Sequence, residues 1–276
     1  MIVVTGATGN VGRSLVRGLV RAGRPVTAVA RRIGRADVPA GVRAVAADLG
    51  EPDGLGPALD GATALFLLVA GEDPAGVLAR AAAAGVARVV LLSSQGVGTR
   101  PAAFAHAAAF EAAVAASGLR HTVLRSGGLA SNAFAWAEPI RAHRTAAAPF
   151  AEVALPFVDP DDVAAVAAAV LTGDGRDGHD AATYVLTGPE PTTPRERAEA
   201  IAKAIGEPVA FVEQTREQAH AQMSAFMPAA VVAATLSILG EPTAAEQAVS
   251  PDVERVLGRP AARFSNWAER NADAFR

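Results

Sequence analysis

Ile2-Val3-Val4-Thr5-Gly6-Ala7-Thr8-Gly9-Asn10-Val11-Gly12 decides how the rest of this chain is read. Three or four apolar residues make a buried strand, and glycines then fall at 6, 9 and 12 as a helix begins. Gly6 lets the chain leave the strand in a tight turn. Gly9 lets the backbone approach a pyrophosphate with no Cβ in the way, and Gly12 lets the helix pack close to the strand. The helix expected from Val11 to Arg21 aims its free N–H groups and the positive end of its dipole at the same phosphates. A glycine triplet alone is weak, and a glycine-rich turn without a ligand is the bland alternative. Here an amphipathic helix carrying Val11, Leu15 and Leu19 follows the turn, and a second strand over 25–30 closes the unit. The expectation is a dinucleotide site, with Gly6, Thr8, Gly9, Asn10, Val11 and Gly12 forming its phosphate cradle.

The end of the second strand selects the dinucleotide. An NAD-preferring site places Asp or Glu there to accept from the ribose hydroxyls. This chain has Ala30-Arg31-Arg32. Two guanidiniums suit a 2′-phosphate, each contact being worth roughly 1.5–3 kcal/mol, enough to favour NADPH about tenfold or more. The alternative is that one or both arginines only solvate a loop. The expected cofactor is NADPH (NADP), with NADH left open.

Composition narrows the function classes. The chain has 276 residues, enough for a large α/β domain with an appended lobe, and is 51% hydrophobic but only 5% aromatic, so its core is built from Ala, Val and Leu. Its 25 basic and 28 acidic residues leave no basic stripe for nucleic acid. There is no cysteine, which excludes disulfides, thiolate catalysis and zinc–cysteine sites. The histidines and carboxylates show no metal-ligand spacing, so no metal is expected. The first residues run straight into a strand without the features of a signal peptide, and apolar stretches such as 229–239 are too short to span a bilayer. A cytoplasmic protein with no membrane partner is expected, its oligomeric state open.

Strand and helix patterns alternate through the first half. Strands are expected at 2–4, 26–30, 42–45, 64–69, 89–92 and 122–124, with helices between them including 75–84 and 102–116. This predicts an α/β fold: a doubly wound parallel sheet (Rossmann), with ligands beyond the carboxyl ends of its strands. That edge carries Arg31, Asp48, Leu68–Ala70, Ser93–Gln95 and Arg125–Leu129. Cofactor contacts are therefore expected from Arg31, Arg32, Asp48, Leu49, Leu68, Val69, Ala70, Ser93 and Gly127 as well as from the glycine turn.

Beyond residue 126 the pattern loosens. Helices are expected at 133–142, from an opening within 157–163 that an aspartate caps and continuing apolar to Leu171, and at 194–205 with Thr193 and Glu196 as a capping box. A Gly/Asp-rich loop covers 174–180, and a short strand 184–187. The organisation is read as a nucleotide-binding domain over 1–130 and a smaller, mostly helical substrate lobe over 131–276, interleaved with it. That lobe is expected to fold over the sheet edge as the second wall of a substrate cleft, lined by Phe134, Trp136, Phe157, Met223, Phe226 and Met227. Such a lining suits a bulky aromatic small molecule, although an apolar stripe is by default core.

Several stretches together resemble the atypical short-chain dehydrogenase/reductase superfamily, in its NmrA-like branch. Besides the glycine turn they are Ala47-Asp48-Leu49, Val90-Leu91-Leu92-Ser93-Ser94, Ser117-Gly118-Leu119 with Thr122-Val123-Leu124-Arg125, Phe157-Val158-Asp159 with Asp162-Val163-Ala164, Tyr184 to Glu190, and Phe264 to Phe275. The resemblance covers nearly the whole chain and is specific for branch, not for substrate. It implies an oxidoreductase, with Asp48 near the adenine. The superfamily's main branch protonates its substrate with a tyrosine tuned by a lysine four residues later. This chain has one tyrosine, Tyr184, and one lysine, Lys203, nineteen positions apart, so that catalyst is impossible here.

Ser94 and His106 are the catalytic candidates. Ser94 stands where the family often has its active-site hydroxyl and can donate to a substrate oxygen, the alternative being a cap for the next helix. His106 lies about where the missing tyrosine's helix would be and can act as an acid near neutral pH, or else be packed. Glu111 is read as orienting its helix or neighbours, Asn132 as near the cleft, Tyr184 as packing, and the other histidines as surface residues. The leading expectation is an NADPH-dependent reductase of a ketone or quinone, specifically an aromatic polyketide ketoreductase of the kind that works in antibiotic biosynthesis. The rival implied by the same branch is a non-catalytic, redox-sensing regulator that binds NADP(H) and acts through a protein partner. An epimerase would need a second acid or base that the sequence does not show.

Overall fold

The computed structural model describes residues 1–173 and 178–276, so the loop expected over 174–180 lies partly outside the described residues. The chain forms two compact units. The first comprises Met1–Ser126, Pro160–Leu186 and Arg255–Gly258. Its strands are β1 (Ile2–Thr5), β2 (Val26–Ala30), β3 (Arg43–Ala46), β4 (Ala64–Leu68), β5 (Arg88–Ser94), β6 (Arg120–Ser126) and β8 (Ala182–Leu186), with β7 (Thr145–Pro149) belonging to the second unit. They form one seven-stranded sheet in the order β3-β2-β1-β4-β5-β6-β8. Every pairing in it is parallel. The segment expected as a short strand around Tyr184 is thus the sheet's last member, with Tyr184 opposite Leu124.

Both faces of this sheet are covered, which is why its central strands read as continuous apolar runs. Val3, Leu65, Leu67, Val89, Leu91 and Val123 share one core with Val77, Leu78 and Ala81 of the helix Pro74–Ala83 and with Phe110 and Val114 of the helix Ala105–Ala116. The alternate residues Val4, Phe66, Val90 and Leu124 are fully buried as well. The helices Asn10–Arg21 and Pro160–Thr172 pack against each other and the strands to complete the unit. Arg88, buried at the start of β5, donates to Val170 O at 2.6 Å and Gly173 O at 2.9 Å, satisfying carbonyls at a helix C-terminus with a positive charge.

β1 lies between β2 and β4, so chain order reverses there and a crevice opens beyond the strand ends. Thr5 bridges that junction. Its Oγ1 donates to Phe66 O at 2.9 Å and accepts from Leu68 N at 3.0 Å, tying β1 to β4 at the level where the glycine turn begins.

The second unit comprises Gly127–Asp159, Thr187–Glu254 and Arg259–Arg276. It is mostly helical, with helices at Ala137–His143, Pro194–Ile205, Arg216–Ser224, Ala229–Gly240 and Phe264–Arg270. Its core gathers Ile140, Ile201 and Ile205 with Phe264, Trp267 and Phe275. A parallel pair, β7 with β9 (Ala210–Gln214), was not expected from the sequence. Thr-Ala-Ala-Ala-Pro has little β propensity, and β9 is exposed or half-buried throughout, so neither carries a strand pattern. The helix expected over 133–142 divides into a 3-10 segment, Ala130–Trp136, and the α-helix Ala137–His143. Pro139 lacks an N–H and fits only the first turn, so the α-helix starts just ahead of it. Among the described residues no helix is long and apolar enough to cross a membrane.

Candidate functional site

In the first unit a cleft of about 510 Å³ lies beyond the strand ends, lined by Thr5, Gly6, Thr8, Gly9, Val29, Ala30, Arg31, Arg32, Ala47, Asp48, Leu49, Leu68, Ala70 and Gly71. Gly6 has φ +61°, and a Cβ there would lie 2.1 Å from Leu68 Cδ1. A Cβ on Gly12 would lie 2.2 Å from the Gly6 carbonyl oxygen, so helix and turn touch backbone to backbone. Gly9, at the helix N-cap, offers no side chain to the first amides of Asn10–Arg21. Those amides are left for a ligand or solvent. Arg31 and Arg32 are exposed, and neither forms an ion pair with a described residue. Asp48 accepts from Gly50 N at 2.9 Å, fixing the loop after β3.

Six of the residues expected at the cofactor do not line this cleft. Asn10, Val11 and Gly12 form the first helical turn, where only their backbone faces forward, and Val69 packs toward the core. Ser93 is buried at the end of β5, and Gly127 directly follows β6. Conversely, Thr5, Val29, Ala30, Ala47 and Gly71 line the cleft without having been singled out. Gly71 had a signal: a glycine just past a strand, with φ +82°, where a Cβ would come within 2.7 Å of Leu49 O.

At the ends of β5 and β6 a polar cluster replaces the expected arrangement. Ser93 Oγ donates to Glu111 Oε1 at 2.6 Å. Arg125, opposite Ser93 in the register, grips the same carboxylate through Nε at 3.1 Å and a terminal nitrogen at 2.7 Å. The hydrogen bond to Glu111 raises the pKa of Arg125, burial opposing it. Ser94 Oγ accepts from Gly96 N at 3.1 Å, the capping role weighed against catalysis. His106 sits on the exposed face of its helix with Nδ1 3.6 Å from Glu72 and its ring edge-on to Phe110. Tyr184 is buried, with its hydroxyl 2.8 Å from His179 Nδ1, so His179 is half-buried rather than a surface residue.

The second unit has its own cavity, about 440 Å³, whose apolar lining includes Trp136, Phe157, Met223, Phe226, Met227 and Leu239. Asn132 and Arg197 also line it. Phe134, expected among the lining residues, packs instead on Trp267 and Phe275 with centroids 5.0 and 6.0 Å away. Its ring is half-buried there, held by the edge-on Trp267 and the stacked Phe275. Arg197 is only 6% exposed, lies 3.8 Å over the Phe157 ring and donates to Thr192 O at 3.0 Å. Burial lowers its pKa to about 10, with Glu196 acting against the shift.

Residues 6–174 match the model of the NAD(P)H-binding family, which covers the glycine turn and most of the parallel sheet. The chain belongs to that family. Within it, the chain is 38% identical to a (4-alkanoyl-5-oxo-2,5-dihydrofuran-3-yl)methyl phosphate reductase of Streptomyces griseus subsp. griseus, over all of this chain and 99% of that one. It is 32% identical to an NAD(P)H azoreductase of Xenophilus azovorans, again over 100% and 99%. An NADPH-dependent quinone oxidoreductase from Escherichia coli, solved with NADPH, has 25% identity and a TM-score of 0.79, covering 98% of this chain and 99% of that one. This family member is an NAD(P)H-dependent oxidoreductase.

The cleft fits the family's dinucleotide. Gly6 turns at φ +61° where a Cβ would collide with Leu68, the helix N-terminus has no side-chain cap, and two guanidiniums without an ion-pair partner among the described residues follow β2. The chain holds no Tyr-x-x-x-Lys pair. Tyr184 is tied to His179, and Lys203 is exposed on the helix Pro194–Ile205.

Proposed function

We propose that this chain uses NADPH to reduce a ketone or quinone carbonyl on a bulky, flat, largely apolar substrate, of which an aromatic polyketide ketone is the specific case. The observation that carries this reading is the cavity walled by Trp136, Phe157, Met223, Phe226 and Met227, which suits a delocalised ring system. Relatives named for reducing an alkanoyl-oxo-dihydrofuran phosphate and for azo reduction, and a structural neighbour named for quinones, support an acceptor of this delocalised kind.

Bound NADPH supplies the hydride. The residues Gly6, Thr8, Gly9, Asn10, Val11 and Gly12 bind its pyrophosphate through backbone and helix dipole, and Arg31 and Arg32 take the 2′-phosphate. Asp48, Leu49, Leu68 and Ala70 line the same cleft and would flank the rest of the nucleotide. Ser93 is held at the end of β5 by Glu111, which Arg125 grips in turn. Ser94 has one lone pair engaged by Gly96 N and keeps its hydroxyl proton for a substrate oxygen. His106, exposed beside Glu72, is the second candidate proton source. A quinone or phenolic ketone asks little of either, because it spreads the developing charge over its own ring.

The deciding experiment follows NADPH oxidation at 340 nm against quinones and tricyclic or tetracyclic aromatic ketones, with NADH in parallel. Turnover with NADPH on such a carbonyl is the expected result. Nucleotide binding with no turnover across the panel would overturn it in favour of a regulator acting through a protein partner.

A further inference from the structure

Arg197 is placed where a charge is hardest to accommodate. Its side chain is buried, it forms no ion pair with a described residue, and it sits in the first turn of Pro194–Ile205, at the positive end of that helix. It cannot serve the helix amides either, since it has only donors, and Thr193 and Glu196 form the capping box there. One of its five N–H groups reaches Thr192 O, and the remainder have no acceptor among the described residues. Its position is nonetheless fixed. The guanidinium carbon lies 3.8 Å from the Phe157 ring centroid, and that ring is confined by Gly128, where a Cβ would come within 2.8 Å of it. A buried, fixed guanidinium with no ion pair among the described residues, lining an apolar cavity, is matched by a ligand with one anionic group on an apolar body.

We infer that Arg197 is the anion subsite of this cavity and that the substrate carries a carboxylate or phosphate monoester on its apolar frame. The assignment rests on the reductase reading for the statement that the cavity takes the substrate. The anionic oxygens pair bidentately with the free edge of the guanidinium while the ring system lies against Trp136 and the methionines. Neutral compounds of the same shape lose that pairing and leave the charge buried alone, so the cavity discriminates by charge as well as size.

The test is a calorimetric titration of the full chain, saturated with NADP, with 2-naphthoate, 2-naphthyl phosphate and neutral 2-naphthamide. The expected result is at least tenfold tighter binding of an anionic probe than of the amide, and whichever anion binds better identifies the headgroup. Arg197→Met should bring the anions to the level of the amide and leave the amide within about twofold. Arg197→Lys keeps the charge but not the fork, and should retain part of the preference even where the methionine variant folds poorly. Equal binding of the three probes, binding of none, or an anion preference unchanged by both substitutions would each overturn the subsite. Because binding is read without turnover, such a failure leaves carbonyl reduction standing. Intact anion binding with no NADPH oxidation on any carbonyl would remove the reductase reading alone.

Discussion

The guanidinium carbon of Arg197 lies 3.8 Å from the ring centroid of Phe157, inside a wall otherwise built of apolar side chains. Burial lowers the arginine's pKa to about 10, so the folded state holds its proton less tightly than the unfolded chain does. Between roughly pH 10 and the unfolded value the unfolded chain binds more protons, and stability there rises with pH. Below pH 10 the burial penalty is present in full. The shift corresponds to a net disadvantage of about 3 kcal/mol for the charged form. Arg197→Met should therefore be at least as stable as the parent at neutral pH, by thermal unfolding. A loss of more than about 2 kcal/mol would mean that the charge is structural.

The two glycines of the first helix should respond in opposite ways. Gly12→Ala puts a Cβ 2.2 Å from the Gly6 carbonyl, a backbone clash that no rotamer relieves. It should cost about 1–3 kcal/mol and weaken NADPH binding by about a hundredfold. Gly18→Ala meets nothing within 4 Å and should stabilise by about 0.5–1 kcal/mol. Paired denaturation curves and nucleotide titrations check both.

Arg31→Ala and Arg32→Ala should each weaken NADPH about tenfold or more and leave NADH within about twofold. The difference should shrink as salt rises, since both side chains are exposed. Equal weakening of the two nucleotides would show that these arginines only solvate the loop.

Glu111→Gln removes the charge gripped by Arg125 and turns one of the two carboxylate oxygens shared by Arg125 and Ser93 into a donor. The pair is partly buried, so a loss of about 1–3 kcal/mol is expected by urea denaturation. The loss should be largely absent in the Arg125→Met background, where no orphaned charge remains.

Tyr184→Phe deletes the hydroxyl bonded to His179 while keeping the buried ring. A stability loss of about 0.5–1.5 kcal/mol with unchanged kcat is expected. A collapse of kcat would make Tyr184 the proton donor after all.

The sheet and its nucleotide cleft were legible because their signals are local. The run from Ile2 to Gly12, the alternation of apolar strands with helices, and the arginines after β2 are each read within a few residues, and the cleft collects Gly6, Gly9, Arg31 and Asp48 as that reading expects. The second unit was less legible. Its parallel pair, Thr145–Pro149 with Ala210–Gln214, joins segments of weak strand character far apart in the chain. Nothing within either segment announces the other.

What the sequence determined by itself is the dinucleotide turn and the absence of a Tyr–Lys catalyst, because spacing and composition alone decide both. Only the tertiary structure decided which polar side chains are bound to partners and which are buried without a counter-charge. Ser93, Glu111 and Arg125 come from two strand ends and a helix to form one cluster, and Phe134 moves into an aromatic core while Trp136 stays on a cavity wall. Arg197 reads in sequence as one more arginine in a charged, capped helix. Its burial over Phe157 follows from contacts with segments remote in the chain, and a local pattern carries no record of such contacts.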